Sequence, residues 1–188
     1  MILLARALEL EEPTAMDRRI RRLARAPRIR PIATVLRPLF PLGLPGGYIP
    51  LAYLIEWRIA CRTGRRALQI RRAAWAGWLV HRGFKVFYRR VRPRRAGEPR
   101  RTDSYPSGHT TGATALALAT ARVLRQRRLL STGGVLVVAI VPPVLMGAYR
   151  VLADDHWATD VVGGWLLGGA IASTAAVWSD ARGGRGVE

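Results

Sequence analysis

A chain of 188 residues with a formal net charge of +19 and 49% hydrophobic residues fits one domain, or at most two small ones, around a shared core. Apolar content at that level excludes a disordered basic tail, and the single cysteine, Cys61, excludes an intrachain disulfide scaffold. Of the 31 basic residues only Lys85 is a lysine, which reflects either chance or a position that needs a compact ammonium rather than a planar guanidinium.

In chain order, residues 1–45 form a basic, proline-rich segment. Met1–Leu10 does not read as a signal peptide, because Arg6 and Glu9 interrupt its apolar run and it lacks a basic start. Asp17–Arg30 has the composition of a segment that lies on an anionic membrane surface or precedes one span, and the prolines from Pro27 to Pro50 break any long regular helix. Four runs then lack Asp, Glu, Lys and Arg altogether: Pro38–Ile55, Ser104–Ala121, Ser131–Tyr149 and Val161–Ser179. Each approaches the roughly 20 residues that carry an α-helix across about 30 Å of hydrocarbon, and arginines bracket them. A fifth helix is expected over Arg66–Arg90, apolar at Ala73–Val80 and arginine-rich at both ends, with His81 and Arg82 turned towards other helices. The expectation is an all-α transmembrane bundle of about five or six helices over residues 46–180, ending in a short polar tail, 181–188.

Three clusters fall at expected helix ends. Lys85 and Arg92 are seven residues apart, two helical turns, with Pro93 beyond; on one face they suit a dianion such as phosphate. Ser107, Gly108 and His109 open the next helix. There Ser107 can cap, Gly108 admits an anion to the backbone, and the free N–H groups point at it. His156 and Asp160, spaced i,i+4, let the carboxylate fix the imidazole tautomer and leave the other ring nitrogen as a nucleophile or base, with Arg150 close by. Taken singly, each cluster also fits a bland role: a positive flank, a capped helix, a locally satisfied histidine. If successive helices alternate in direction, however, all three arrive on one side of the membrane.

Lys85-x6-Arg92-Pro93, Pro106-Ser107-Gly108-His109 and Arg150-x5-His156-x3-Asp160 resemble the three-part signature of the type 2 phosphatidic acid phosphatase (PAP2) superfamily, which also contains vanadium haloperoxidases and soluble bacterial acid phosphatases. Tyr149 departs from it, standing where the family usually has serine, which removes one hydrogen bond to phosphate. The resemblance implies a metal-independent phosphatase without a cofactor. His156 is the implied nucleophile oriented by Asp160, His109 the general acid, and Lys85, Arg92, Ser107, Gly108 and Arg150 the phosphate-binding set. The implied partners are the bilayer and a phosphorylated membrane lipid (phosphatidate, phosphatidylglycerol phosphate, a polyprenyl diphosphate or a polyprenyl phosphosugar), not nucleic acid. Competing readings are a vanadate-dependent haloperoxidase, a metal site built from His109, His156 and Asp160, and a non-catalytic protein binding acidic lipid. The implied location is the bacterial cell membrane. If the N-terminal segment spans once, the positive-inside rule puts the site outside the cytoplasm, which is the expectation adopted; if that segment only lies on the surface, the preference reverses.

Overall fold

The computed structural model describes residues 12–93, 99 and 101–183. The stretch read above against a signal peptide, part of the Arg/Pro-rich loop and the last five residues lie outside them. Among the described residues the chain is all-α. Two short helices, α1 (Ala15–Ala24) and α2 (Arg30–Leu36), and two 3₁₀ turns (Arg37–Leu39, Pro41–Gly43) precede five long helices: α3 (Pro45–Thr63), α4 (Leu68–Phe87), α5 (Gly108–Gln126), α6 (Thr132–Leu152) and α7 (Ala158–Gly183). At about 1.5 Å per residue, ten-residue α1 reaches about 15 Å, half of a hydrocarbon core. It starts at a capping box, in which Thr14 Oγ1 accepts from the Asp17 N–H and Asp17 returns the bond to Thr14.

The long helices alternate in direction around α5, which packs against α3, α4, α6 and α7. Alanine, threonine and glycine make α5 slim enough for that position. Its buried Thr111 and Thr114 donate their hydroxyls to the carbonyls of Ser107 and Thr110, so a dry interior leaves neither hydroxyl unpaired. One apolar cluster joins α3, α4 and α5 through Tyr48, Ile59, Ile70 and Leu116; another joins α4, α5 and α7 through Ala73, Ala119, Leu167 and Ile171.

The outer surface is apolar in turn. Leu136, Val137, Ile140 and Val144 on α6, Val162, Leu166 and Val177 on α7, and Leu54 and Trp57 on α3 are exposed, the inverse of a water-soluble bundle. By length and composition alone, α6 and α7 are the two described helices that suffice to cross a membrane. Helix α4 carries arginines at both ends, and α5 is built from small residues because it lies inside.

At the end away from Lys85, Arg127 ties the α5 terminus to the turn between α3 and α4, donating to Thr63 Oγ1 and to the carbonyls of Arg65 and Arg66. Buried Glu56 receives Arg66 and Arg71 there, each at 3.3 Å.

Small residues set the spacing of α5 and α7. A Cβ on Gly168 would lie 2.6 Å from Thr114 Cβ and 2.7 Å from the Thr111 carbonyl oxygen, which belongs to a helix backbone and cannot swing away. At Gly169 the nearest atom is Leu118 Cδ1 at 3.9 Å. Gly168→Ala is therefore expected to destabilise the bundle by about 1–3 kcal/mol, whereas Gly169→Ala is neutral or stabilises it by up to about 1 kcal/mol. Thermal unfolding of the two variants in the same detergent checks the contrast.

Candidate active site

The end of α4, the start of α5, the end of α6 and the start of α7 meet at one end of the bundle, and the three clusters arrive there together. A cavity of about 190 Å³ is lined by Lys85, His81 and Trp78 from α4, Gly108 and His109 from α5, His156, and Tyr48 with Gly43–Pro45 from the start of α3. Arg92 and Arg150 approach from beyond His156. Arg92 Nη1 donates to the Asp155 carbonyl at 3.2 Å, and Arg150 Nη1 lies 3.2 Å from Asp155 Oδ2.

Local geometry differs from the sequence expectation at three points. Helix α4 ends at Phe87, five residues before Arg92, so Lys85 and Arg92 do not share a helix face. Asp103 brings them together instead: Arg92 donates to its two oxygens at 2.9 and 3.0 Å, and Lys85 Nζ lies 3.6 Å away. The strand-like pairing of the Arg92 N–H with Arg101 O, and of the Ser104 N–H with Arg90 O, holds this brace in place. Second, Ser107 occupies the N-cap position of α5 without a side-chain cap; its Oγ accepts from Thr110 Oγ1 at 3.0 Å, and its N–H donates to the Asp160 carbonyl at 3.1 Å. Third, His156 precedes α7 rather than riding on it. Asp160 reaches back with Oδ2 to accept from the Trp157 N–H at 2.8 Å and from Ser104 Oγ, and stands 3.4 Å from His156 Nδ1.

Gly108 has no room for a side chain, since a Cβ there would meet His81 Nε2 at 2.6 Å. His81 donates its Nδ1–H to the Gly77 carbonyl oxygen, 3.0 Å away, and the ring lines the cavity. Sequence reading placed His81 against other helices but did not include it in the site. It also omitted Ser104, Asp103, and Arg90, which is fully buried and bridges Asp160 and Asp17. A Ser or Asp just before a Tyr-Pro turn carries no periodic signal; for Arg90, lying two residues from Arg92, the one available hint was an excess of arginine.

Across Phe40 from the cavity lies a groove of about 590 Å³ lined by Thr34, Arg37, Pro38, Phe40, Pro41 and Tyr149. The Phe40 ring stands 5.1 Å from that of His109, and the Arg150 guanidinium sits over both Phe40 and Tyr149, at 5.6 and 5.8 Å. Tyr149 thus acts here as an aromatic wall rather than as the hydroxyl donor usual at that position.

The charges set what the site can hold. Burial above all holds the His156 imidazole down, to about 4; Asp160 opposes the shift and Arg92 and Arg150 add to it, so the ring is neutral near pH 7. Burial would raise the Asp103 carboxyl, but its bonds to Arg92 and the nearby Lys85 and Arg101 hold it well below the usual range. His109 Nε2 and Arg150 Nε are buried without a hydrogen-bond partner among the described residues. Clustered cations with unmatched donors and a neutral imidazole suit a tetrahedral oxyanion and oppose a metal cation. This is the equipment of a phosphoryl-transfer enzyme.

Comparison with known proteins agrees. The PAP2 superfamily model matches residues 72–183, and the chain belongs to that superfamily. The decaprenylphosphoryl-5-phosphoribose phosphatase of Mycobacterium tuberculosis is 34% identical over 146 residues, covering 71% of this chain and 75% of that protein. The undecaprenyl-diphosphatase of Sulfolobus acidocaldarius is 37% identical over 83 residues, 42% of this chain, and the match spans 35% of that protein's length. Among solved structures, the transmembrane PAP2-type phosphatidylglycerolphosphate phosphatase of Bacillus subtilis superposes with a TM-score of 0.71 at 25% identity, over 87% of this chain and 84% of that one. The fold is accordingly a transmembrane PAP2-type helical bundle.

Acid sensitivity follows from His156. An unfolded chain takes up this proton as pH falls through about 6.5, the folded protein only near 4, so the stability contributed is present above 6.5 and is lost across that window. The loss amounts to about 3 kcal/mol from this group. His156→Gln is expected to remove that part of the pH dependence, as read from unfolding midpoints between pH 7 and 4.

Proposed function

We propose that the protein hydrolyses a phosphate ester on a lipid anchor through a phosphohistidine on His156. The observation that carries this reading is the meeting of Lys85, Arg92, Arg150, His109 and His156 at one end of an apolar-surfaced bundle. His156 Nδ1 faces Asp160, which leaves Nε2 to attack phosphorus. As the P–N bond forms, the bond to the leaving oxygen breaks, and His109 gives that oxygen its proton. His109 then takes a proton from water, which attacks the phosphohistidine and releases inorganic phosphate. Lys85, Arg92 and Arg150, with Ser107 and the Gly108 N–H, hold the equatorial oxygens as charge redistributes. The 3.4 Å separation of His156 and Asp160 shortens as the ring acquires positive charge.

Of the lipid phosphates that fit, a polyprenyl phosphosugar or polyprenyl diphosphate is favoured. The similarity to the mycobacterial phosphatase extends over most of both chains, and the groove beside Phe40 presents exposed Arg37, a cation for a second phosphate that stays on the lipid. The exposed apolar surface disfavours a water-soluble haloperoxidase.

Sidedness is revised from the extracytoplasmic expectation. Because α1 is too short to span and bonds to Asp154 at the catalytic end, the arginines from Arg18 to Arg37 count on that side. The positive-inside rule then favours a cytoplasmic-facing site in the bacterial cell membrane.

Three measurements test these statements. His156→Ala is expected to lower phosphate release from phosphorylated lipids in metal-free detergent by at least about 10³-fold with the fold retained, and the wild type to trap acid-labile, base-stable phosphate; full activity of the variant ends the mechanism. Arg37→Ala is expected to raise KM several-fold for lipids bearing two phosphates and to leave phosphatidate unaffected. Exposed Cys61 lies near the far end of α3, so in intact cells a membrane-impermeant maleimide is expected to label it; labelling only after permeabilisation restores the extracytoplasmic site.

A further inference from the structure

Helix α1 has no part in the chemistry just described, yet it buries a carboxylate behind the nucleophile's partner. Asp17 is 1% exposed and accepts from the Thr14 N–H, from the Thr159 N–H and hydroxyl, and from Arg90 Nη2 at 2.7 Å. Arg90, equally buried, gives Nη1 to Asp160 Oδ1 at 2.6 Å. Asp160 in turn faces His156. A single guanidinium therefore joins a carboxylate of α1 to the carboxylate that orients the imidazole. A second anchor lies alongside: Arg21 donates to both oxygens of Asp154, at 2.7 and 3.0 Å, and its guanidinium sits over the Trp157 ring. Helix α1 thus straps the segment from Asp154 to Thr159, which includes His156.

The charges matter as much as the bonds. Paired with Asp160 alone, Arg90 would cancel its charge and weaken its pull on a positive imidazole. Two carboxylates against one guanidinium leave one net negative charge beside the nucleophile. The geometry points to Asp17 as a positioning residue for phosphoryl transfer: through Arg90 it holds Asp160 in place and keeps it electronegative, making α1 part of the catalytic apparatus. This rests on His156 being the nucleophile proposed above. Among the described residues the other charged or titratable groups around His156 are Arg92 and Asp155 from the connecting segments, Arg150 from α6, His109 from α5, and His81, Arg82 and Lys85 from α4, and none of them is altered by a change at residue 17.

The test is an NMR titration of His156 in detergent micelles, together with steady-state kinetics on a polyprenyl phosphosugar. Asp17→Asn keeps the side-chain shape and removes one charge. Its His156 midpoint is expected to fall by about half to one pH unit, and kcat to fall about 10- to 100-fold with KM unchanged. Asp17→Asn combined with Arg90→Met restores one net negative charge, on Asp160, which keeps its hydrogen bonds from the Trp157 N–H and the Ser104 hydroxyl, so the midpoint is expected to return towards that of the wild type. Arg21→Ala cuts the second anchor and is expected to lower Tm without moving the midpoint. An unmoved midpoint in Asp17→Asn, a double variant that falls below the single one, or an equal shift in Arg21→Ala overturns the inference. The titration needs no substrate, so a wild-type protein that releases no phosphate would sink the phosphatase reading while leaving the link between Asp17 and His156 measurable.

Discussion

Like charges repel, and a partly dry site strengthens the repulsion. Bringing Lys85, Arg92 and Arg150 to one end of a helical bundle is therefore the constraint on which the rest of this structure depends. The protein meets it with carboxylates placed one at a time: Asp103 between Lys85 and Arg92, Asp155 beside Arg150, and Asp160 and Asp17 on the two arms of Arg90. They come from three separate parts of the chain, Asp155 and Asp160 sharing the segment that opens α7. Holding them requires the brace between Arg92 and Arg101, the cap at the start of α7 and the folded-back α1. The long helices bring the corners together; the short and irregular segments decide which charge meets which.

Much of this was legible in the sequence. Runs without charge reported α5, α6 and α7, because hydrocarbon tolerates few ions, whereas the run Pro38–Ile55 opens in 3₁₀ turns and α3 continues past it through Glu56, Arg58 and Arg62. Alternating direction brought Lys85, Ser107, Arg150 and His156 to one end. The details of the helix ends were less legible. Spacings of four and seven residues place side chains on one face only where the helix continues, and α4 stops at Phe87 while α7 begins after His156. In both places the pairing survives on another scaffold, since Asp103 and the backward reach of Asp160 replace the shared helix face. Asp17 and Arg90, far apart in sequence, carry no local pattern that links them; their partnership is a tertiary fact. The readable trace was the Thr14-x-x-Asp17 capping box, an acidic residue starting a helix within an otherwise basic stretch.

The N-terminal segment shows how composition misleads when its two faces differ. Its many arginines suggested a stretch lying on an anionic membrane surface or including one span. In the fold, one buried carboxylate and Arg21 bind it to the protein. Several other arginines of α1 stay exposed, so the same helix can meet an anionic surface while its inner face holds the segment that carries His156.

The five long helices among the described residues, an odd number, have a plain topological result. With α1 beside the reactive end and α7 running away from it, residue 183 emerges on the opposite side of the bilayer from the substrate's head group. A reporter domain or purification handle fused after α7 would thus occupy a different compartment from the reaction, clear of the incoming lipid and unable to block its approach.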